Sequence, residues 1–299
     1  MTLEVKNLTK NFNHFTAVKN FNFKVNKGQM LGFLGRNGAG KTTTFRMLLG
    51  LTKQSEGSIT YNNKKIDKTI YNFIGYLPEE RGLHPKRKVK EEVKFLAKIK
   101  GMNNTEIEKE LDYWFEKLNI SKYKNKKIET LSKGNQQKVQ FLTSIIHRPD
   151  LLILDEPFSG LDPVNVENLK QVVKELNEQG TTIIFSSHRM DHVEELCDEI
   201  CLIDKGEIIL NDSIKDIKNH SHNKRVLVES DQDLTYLKDI EGILNFEVTK
   251  NAQIFFVKDD NIARILFENI SKLDFVKKFE VLEPSLNDIF IEKVGENFE

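Results

Sequence analysis

Strand-length apolar runs alternate with helical spacings over the first two thirds of the chain. Residues 3–5, 30–34, 73–77, 151–154, 181–185 and 200–203 are short and rich in β-formers, as strands of a sheet are. Between them, apolar residues return every three or four positions. Val166, Leu169, Val172, Val173 and Leu176 share one face of a helix expected over 164–176, and Val139, Leu142, Ile145 and Ile146 one over 136–146. Strands alternating with helices predict a largely parallel sheet covered on its faces. The stretch from 89 to 118 is highly charged, with only a narrow apolar stripe of Val93, Leu96 and Ile99. It reads as part of a peripheral helical subdomain over about 86–147.

The pattern changes after Leu210. Residues 212–223 are polar and read as a linker between a domain at 1–211 and a second at 224–299. The second fits strand (225–229), helix (234–240), strand (244–249), strand (253–257), helix (261–273) and strand (275–282), with a final helix at 286–294. The order βαββαβ is the ferredoxin-like pattern of a small α+β domain. A length of 299 residues suits two domains, and 38% apolar residues suffice for their cores,. Lys plus Arg equals Asp plus Glu at 45 each, so the basic excess of a nucleic-acid binder is missing,. Cys197 and Cys201 cannot make a disulfide framework; they read as core residues of an intracellular protein,. Neither a bilayer-length apolar run nor a signal-peptide core occurs,. Any work at a membrane would therefore be that of a docked subunit.

Residues 35–43 read GRNGAGKTT, between a strand-like QMLGFL and a helix-like stretch. The pattern G-x-x-x-x-G-K-[ST] is a phosphate-binding loop. Gly35, Gly38 and Gly40 let the backbone curl so that its N–H groups, with those of Asn37, Ala39 and Thr43, face the phosphates of ATP,. Lys41 would reach the β- and γ-phosphates, and Thr42 would offer its hydroxyl to Mg²⁺,. Downstream, LLILDEP (151–157) is a buried-strand pattern delivering two acids at its C-terminal end, where open α/β sheets bind ligands. Asp155 suits Mg²⁺, and Glu156 suits the base that orients or deprotonates water,.

Further along, LSKGNQQ (131–137), SGLD (159–162) and a histidine at 188 follow in order. Here the chain resembles the ATP-binding subunits of ABC transporters, P-loop ATPases with a helical subdomain. The resemblance covers about two thirds of the chain. Lys133 and Asn135 depart from the usual LSGGQ, whereas Ser132 and Gly134 are retained. The family implies that this loop contacts the γ-phosphate held by an opposite subunit, so that a homodimer or heterodimer sandwiches two nucleotides. It also implies that Asp162 belongs to the loop after the catalytic acid and that His188 senses the γ-phosphate. Phe12 occupies the place of the adenine-stacking aromatic, with Phe15 as competitor. Glu79, in GYLPEERGL, stands where the family has a Gln; its carboxylate can still ligate Mg²⁺.

PEERGL, LSKGNQQK and the extra C-terminal domain together are similar to a bacterial branch of sodium- and drug-export ATPases, over nearly the whole chain. That branch implies export through a separately encoded membrane permease, with this chain cytoplasmic and peripheral on the inner face of the membrane. The alternative, a non-transport ATPase acting on ribosomes or DNA, usually carries tandem cassettes or coiled-coil insertions. This sequence has one phosphate-binding loop and no heptad tract. A regulatory module, in which the second domain binds a small ligand or mediates dimer contacts, is compatible with the transporter role.

Overall fold

The computed structural model describes residues 2–66, 71–80, 82–220 and 224–294. Arg81, residues 221–223 of the expected linker and residues 295–299 lie outside them. The chain divides into two compact units, Met1–Asp212 and Ser213–Glu299.

The first unit is built on two sheets. The larger orders its strands β10-β9-β3-β8-β7-β6, with β3 at Met30–Gly35, β6 at Ile74–Leu77, β7 at Leu151–Asp155, β8 at Thr182–Ser186, β9 at Glu199–Asp204 and β10 at Glu207–Ser213. The five strands from β9 to β6 run parallel. Every residue of β3, β7 and β8 is buried, as continuous apolar runs in a sheet covered on both faces must be.

The second sheet was not foreseen as such. It is antiparallel, in the order β2-β1-β4-β5, from β1 (Thr2–Phe12), β2 (Phe15–Asn26), β4 (Glu56–Tyr61) and β5 (Lys64–Lys65). β1 and β2 form a hairpin in which Phe12 faces Phe15 across a two-residue turn. Asn13 takes φ +47 there, as short hairpin turns demand. The half-buried alternation of these strands is weaker than the solid apolar runs of the parallel sheet, so only residues 3–5 stood out. The two sheets meet in one core, where Phe33 of β3 packs its ring 5.6 Å from Phe23 and 5.4 Å from Phe45.

The helical subdomain comprises α2 (Val89–Ile99), α3 (Asn104–Lys117) and α4 (Lys133–Ile145). Asn103 caps α3 by accepting from the Glu106 N–H, and Ser132 caps α4 by accepting from the Asn135 N–H,. α1 (Lys41–Leu48) follows β3, α5 (Pro163–Glu178) precedes β8, and α6 (Met190–Leu196) follows it.

In the second unit, β11 (Lys224–Glu229), β12 (Ile243–Val248), β13 (Gln253–Val257) and β14 (Lys278–Leu282) form an antiparallel sheet ordered β12-β13-β11-β14. Counted within the unit, that order is 2-3-1-4, as the ferredoxin-like pattern requires. Two expectations change. The helix expected over 234–240 is a short 3-10 turn, Thr235–Asp239. Part of the expected linker is a helix, α7 (Ile214–His220), because Ile214 and Ile217 are buried one turn apart and the Ser213 hydroxyl accepts from the Asp216 N–H. α8 (Asp260–Ile270) packs on Val226, Val228, Phe255 and Val257. Arg225 of β11 pairs with Asp288 of α9 (Leu286–Val294). Among the described residues no helix is long and apolar enough to cross a membrane.

Candidate active site

The C-terminal ends of β3 and β7 open on a cleft of about 370 Å³. Its floor is the loop from β3 into α1. Gly40 takes φ +109 there, and a Cβ on it would lie 2.6 Å from the Ala17 carbonyl oxygen. Only glycine fits this turn. The turn aims the N-terminus of α1, with its free N–H groups and positive dipole end, into the cleft.

Lys41 is buried and points back along its own loop, where its ammonium donates to the carbonyls of Gly35 (2.6 Å) and Arg36 (3.1 Å). Burial lowers its pKa, opposed by the charges of Glu156, Asp155 and Glu79. An anion entering the cleft would meet a cation whose hydration has already been removed.

Asp155 ends β7, 1% exposed. Its Oδ1 accepts from the Ser186 hydroxyl at 2.6 Å, which leaves Oδ2 turned to the Thr42 hydroxyl at 3.3 Å. Two hard oxygens from the loop and the acid strand thus converge, with the Glu79 carboxylate on the same cleft wall. This donor set suits Mg²⁺. Ser186 carried no signal of its own in the sequence. It reaches Asp155 because β8 pairs with β7 in a register that puts the two residues opposite each other.

Glu156 is buried and takes φ +49, a costly conformation for a residue with a side chain. Its N–H donates to the Ser186 hydroxyl oxygen at 3.2 Å, and its Oε2 lies 2.9 Å from His188 Nδ1. Burial raises the Glu156 pKa, and the His188 hydrogen bond opposes the rise. A carboxyl group so placed is a stronger base than one in water.

The remaining candidates fall in three places. Asn37, Gly38 and Thr43 line the cleft, while Gly35 and Ala39 support the loop from behind. Ser132 and Gly134 stand at the N-terminus of α4, and Asp162 caps α5 by accepting from the Asn165 N–H at 3.0 Å. These three are not among the residues lining the cleft of their own chain. Of the two candidate aromatics, Phe15 lines the cleft, whereas the Phe12 ring lies 4.7 Å beneath the Lys10 ammonium.

Residues 18–159 match the family model described as ABC transporter, and residues 213–294 match the C-terminal domain of DrrA1-3-like ATP-binding proteins. The chain is 50% identical to the ABC transporter ATP-binding protein YhaQ of Bacillus subtilis, over 99% of this chain and 100% of that one. It is 38% identical to the linearmycin resistance ATP-binding protein LnrL of the same organism, over 69% and 68%. A solved dimeric ATP-binding cassette in a post-hydrolysis state, bound to ADP and Pi, superposes with a TM-score of 0.66 at 25% identity, over 71% of this chain and 98% of that one. ABC ATP-binding subunits of this kind dimerise and work with separate membrane permeases. The chain belongs to the ATP-binding subunits of ABC transporters and is an ATPase of the P-loop fold.

Proposed function

We propose that this ATPase powers export of ions, drugs or other small molecules through a separately encoded permease, docked on the inner face of the membrane. The observation that carries the motor part is the convergence of Lys41, the Thr42–Asp155 oxygen pair and the buried base Glu156 on one cleft. Export is supported by the likeness to a linearmycin resistance ATP-binding protein.

The triphosphate enters over the N-terminus of α1. Lys41 exchanges its two carbonyl partners for β- and γ-phosphate oxygens, a stronger charge-assisted pairing,. Thr42, Asp155 and Glu79 would hold Mg²⁺, which when bound offsets the charge on the phosphate oxygens. Phe15, on the cleft wall, stacks on the adenine,. A second copy supplies Ser132 and Gly134, whose helix end adds N–H groups to the γ-phosphate,, and Asp162 near the same junction. This explains why those residues stand apart from the cleft of their own chain.

Glu156 accepts a proton from the attacking water as the new bond from water oxygen to the γ-phosphorus forms. The bond from that phosphorus to the ADP oxygen breaks. His188 keeps Glu156 oriented and pairs with the γ-phosphate. Release of that phosphate removes the negative charge that held the two copies together, and the dimer opens.

The test is capture of the tagged chain from detergent-solubilised membranes. Co-purification of a polytopic protein with about six or more bilayer-length apolar spans, and ATP-driven efflux from cells expressing both, is the expected result. Recovery of ribosomal subunits or DNA in its place would refute the transport reading.

A further inference from the structure

Two buried glutamines on α4 have no place in the cleft chemistry. Gln137 and Gln140 are 3% and 4% exposed and lie three residues apart, on one side of the helix. A buried amide must find partners, and both find carbonyls of functional loops. Gln140 Nε2 donates to the Glu80 carbonyl at 2.9 Å and reaches the Pro78 carbonyl at 3.4 Å. Those two carbonyls bracket Glu79, a lining residue of the cleft. Gln137 Nε2 donates to the Pro157 carbonyl at 3.0 Å, one residue past Glu156. Residues 78, 80 and 157 lie outside helices and strands, so no ladder satisfies their carbonyls.

The same helix is capped at its N-terminus by Ser132. From there to Gln140 is a rise of about 12 Å along a stiff rod. One end of α4 thus presents the Ser132–Gly134 loop, while its flank grips the Glu79 and Glu156 loops of the same chain.

We propose that Gln137 and Gln140 are positioning residues that couple the two nucleotide sites of the dimer. They tie the state of a subunit's own cleft to the placement of the loop it offers its partner. A shift of Glu79 or Glu156 on nucleotide binding pulls on α4, and α4 resets Ser132. This rests on the reading that Glu79 serves the cleft and that Ser132 and Gly134 act on the partner's nucleotide. Coupling carried by such a packed, hydrogen-bonded chain is worth a factor of about 10.

The experiment is a double-mutant cycle on the purified full chain. Gln140→Met keeps the side chain's length and removes its donor; Gln137→Met does the same at the other grip. Each variant is checked for an unchanged thermal midpoint and unchanged affinity for a fluorescent ATP analogue, which a plain packing defect would move. Expected for Gln140→Met is a fall in kcat of about 10-fold and a Hill coefficient for ATP moving toward 1. With Glu79→Ala added, the double variant should be no slower than Glu79→Ala alone, because the two act through one loop. Wild-type kcat and Hill coefficient in both methionine variants would overturn the proposal, as would losses that multiply with that of Glu79→Ala. If Glu79→Ala itself turns over normally, the role of Glu79 fails and the coupling falls with it. If Glu79→Ala is slow while Gln140→Met is normal, only the coupling fails.

Discussion

Glu156→Gln binds ATP as the wild type does and turns over about 10²–10⁴-fold more slowly, the loss expected when a positioned base is removed. The geometry explains why the two effects separate. Glu156 lies one residue past the end of the acid strand, and its hydrogen bonds to Ser186 and His188 do not involve the phosphate loop. The amide keeps the shape of the side chain but cannot take the proton. The pH profile gives an independent reading of the same group. Because burial raises the Glu156 pKa, the carboxylate is lost as pH falls through that raised value. The acid limb of kcat should therefore sit above the ordinary carboxylate range and vanish in Glu156→Gln. A wild-type rate in the variant, or an unchanged acid limb, would remove Glu156 from the chemistry.

Lys41→Met fails earlier, at binding. The residue is buried, and it lines the cleft that the β- and γ-phosphates would enter. Without ligand it is held by two peptide carbonyls of its own loop. With phosphate bound it exchanges these neutral acceptors for charged ones. Hydrogen bonds to charged groups are worth about 1.5–3 kcal/mol each. One lost bond amounts to a roughly 10- to 160-fold rise in the dissociation constant for ATP, readable by isothermal titration. The fold should survive, since methionine fills a similar volume and the loop's shape is set by Gly38 and Gly40, both at positive φ. Affinity within twofold of the wild type would mean that the loop's N–H groups bind the phosphates alone.

The parts of this site that rest on short stretches of chain were legible in the sequence. The loop from Gly35 to Thr43 and the strand ending in Asp155 and Glu156 each carry their chemistry within nine residues, between elements that apolar patterning marks clearly. What was illegible depends on which elements become neighbours. Ser186 meets Asp155 only because β8 lies between β3 and β7 in the sheet. His188 reaches Glu156 by the same adjacency. That Phe15 rather than Phe12 lines the cleft depends on their places on either side of a hairpin tip, which the sequence pattern does not separate. Gln137 and Gln140 are not among the apolar residues that mark the helix expected over 136–146, and only the path of the loops across α4 shows what they hold.

The second unit shows the same limit. Its strand order agrees with the pattern read from 225 to 282; β11 and β13, the two inner strands, alternate buried with partly exposed positions. Its boundaries were harder. Leu234 and Leu237 are both buried, yet the segment between them is too short for an α-helix and closes as a 3-10 turn,. The stretch before it looked like a linker on composition alone. Ile214 and Ile217 are enough to fix a two-turn helix once a surface is available to bury them,.

The claim on which the mechanism depends is that ATP joins two copies of this chain and that hydrolysis parts them. Light scattering on Glu156→Gln measures this directly, since that variant keeps its nucleotide intact. With Mg²⁺ and ATP the solution mass should be twice that of one chain, and with ADP it should return to that of one chain. A single-chain mass with ATP demonstrably bound would contradict the account.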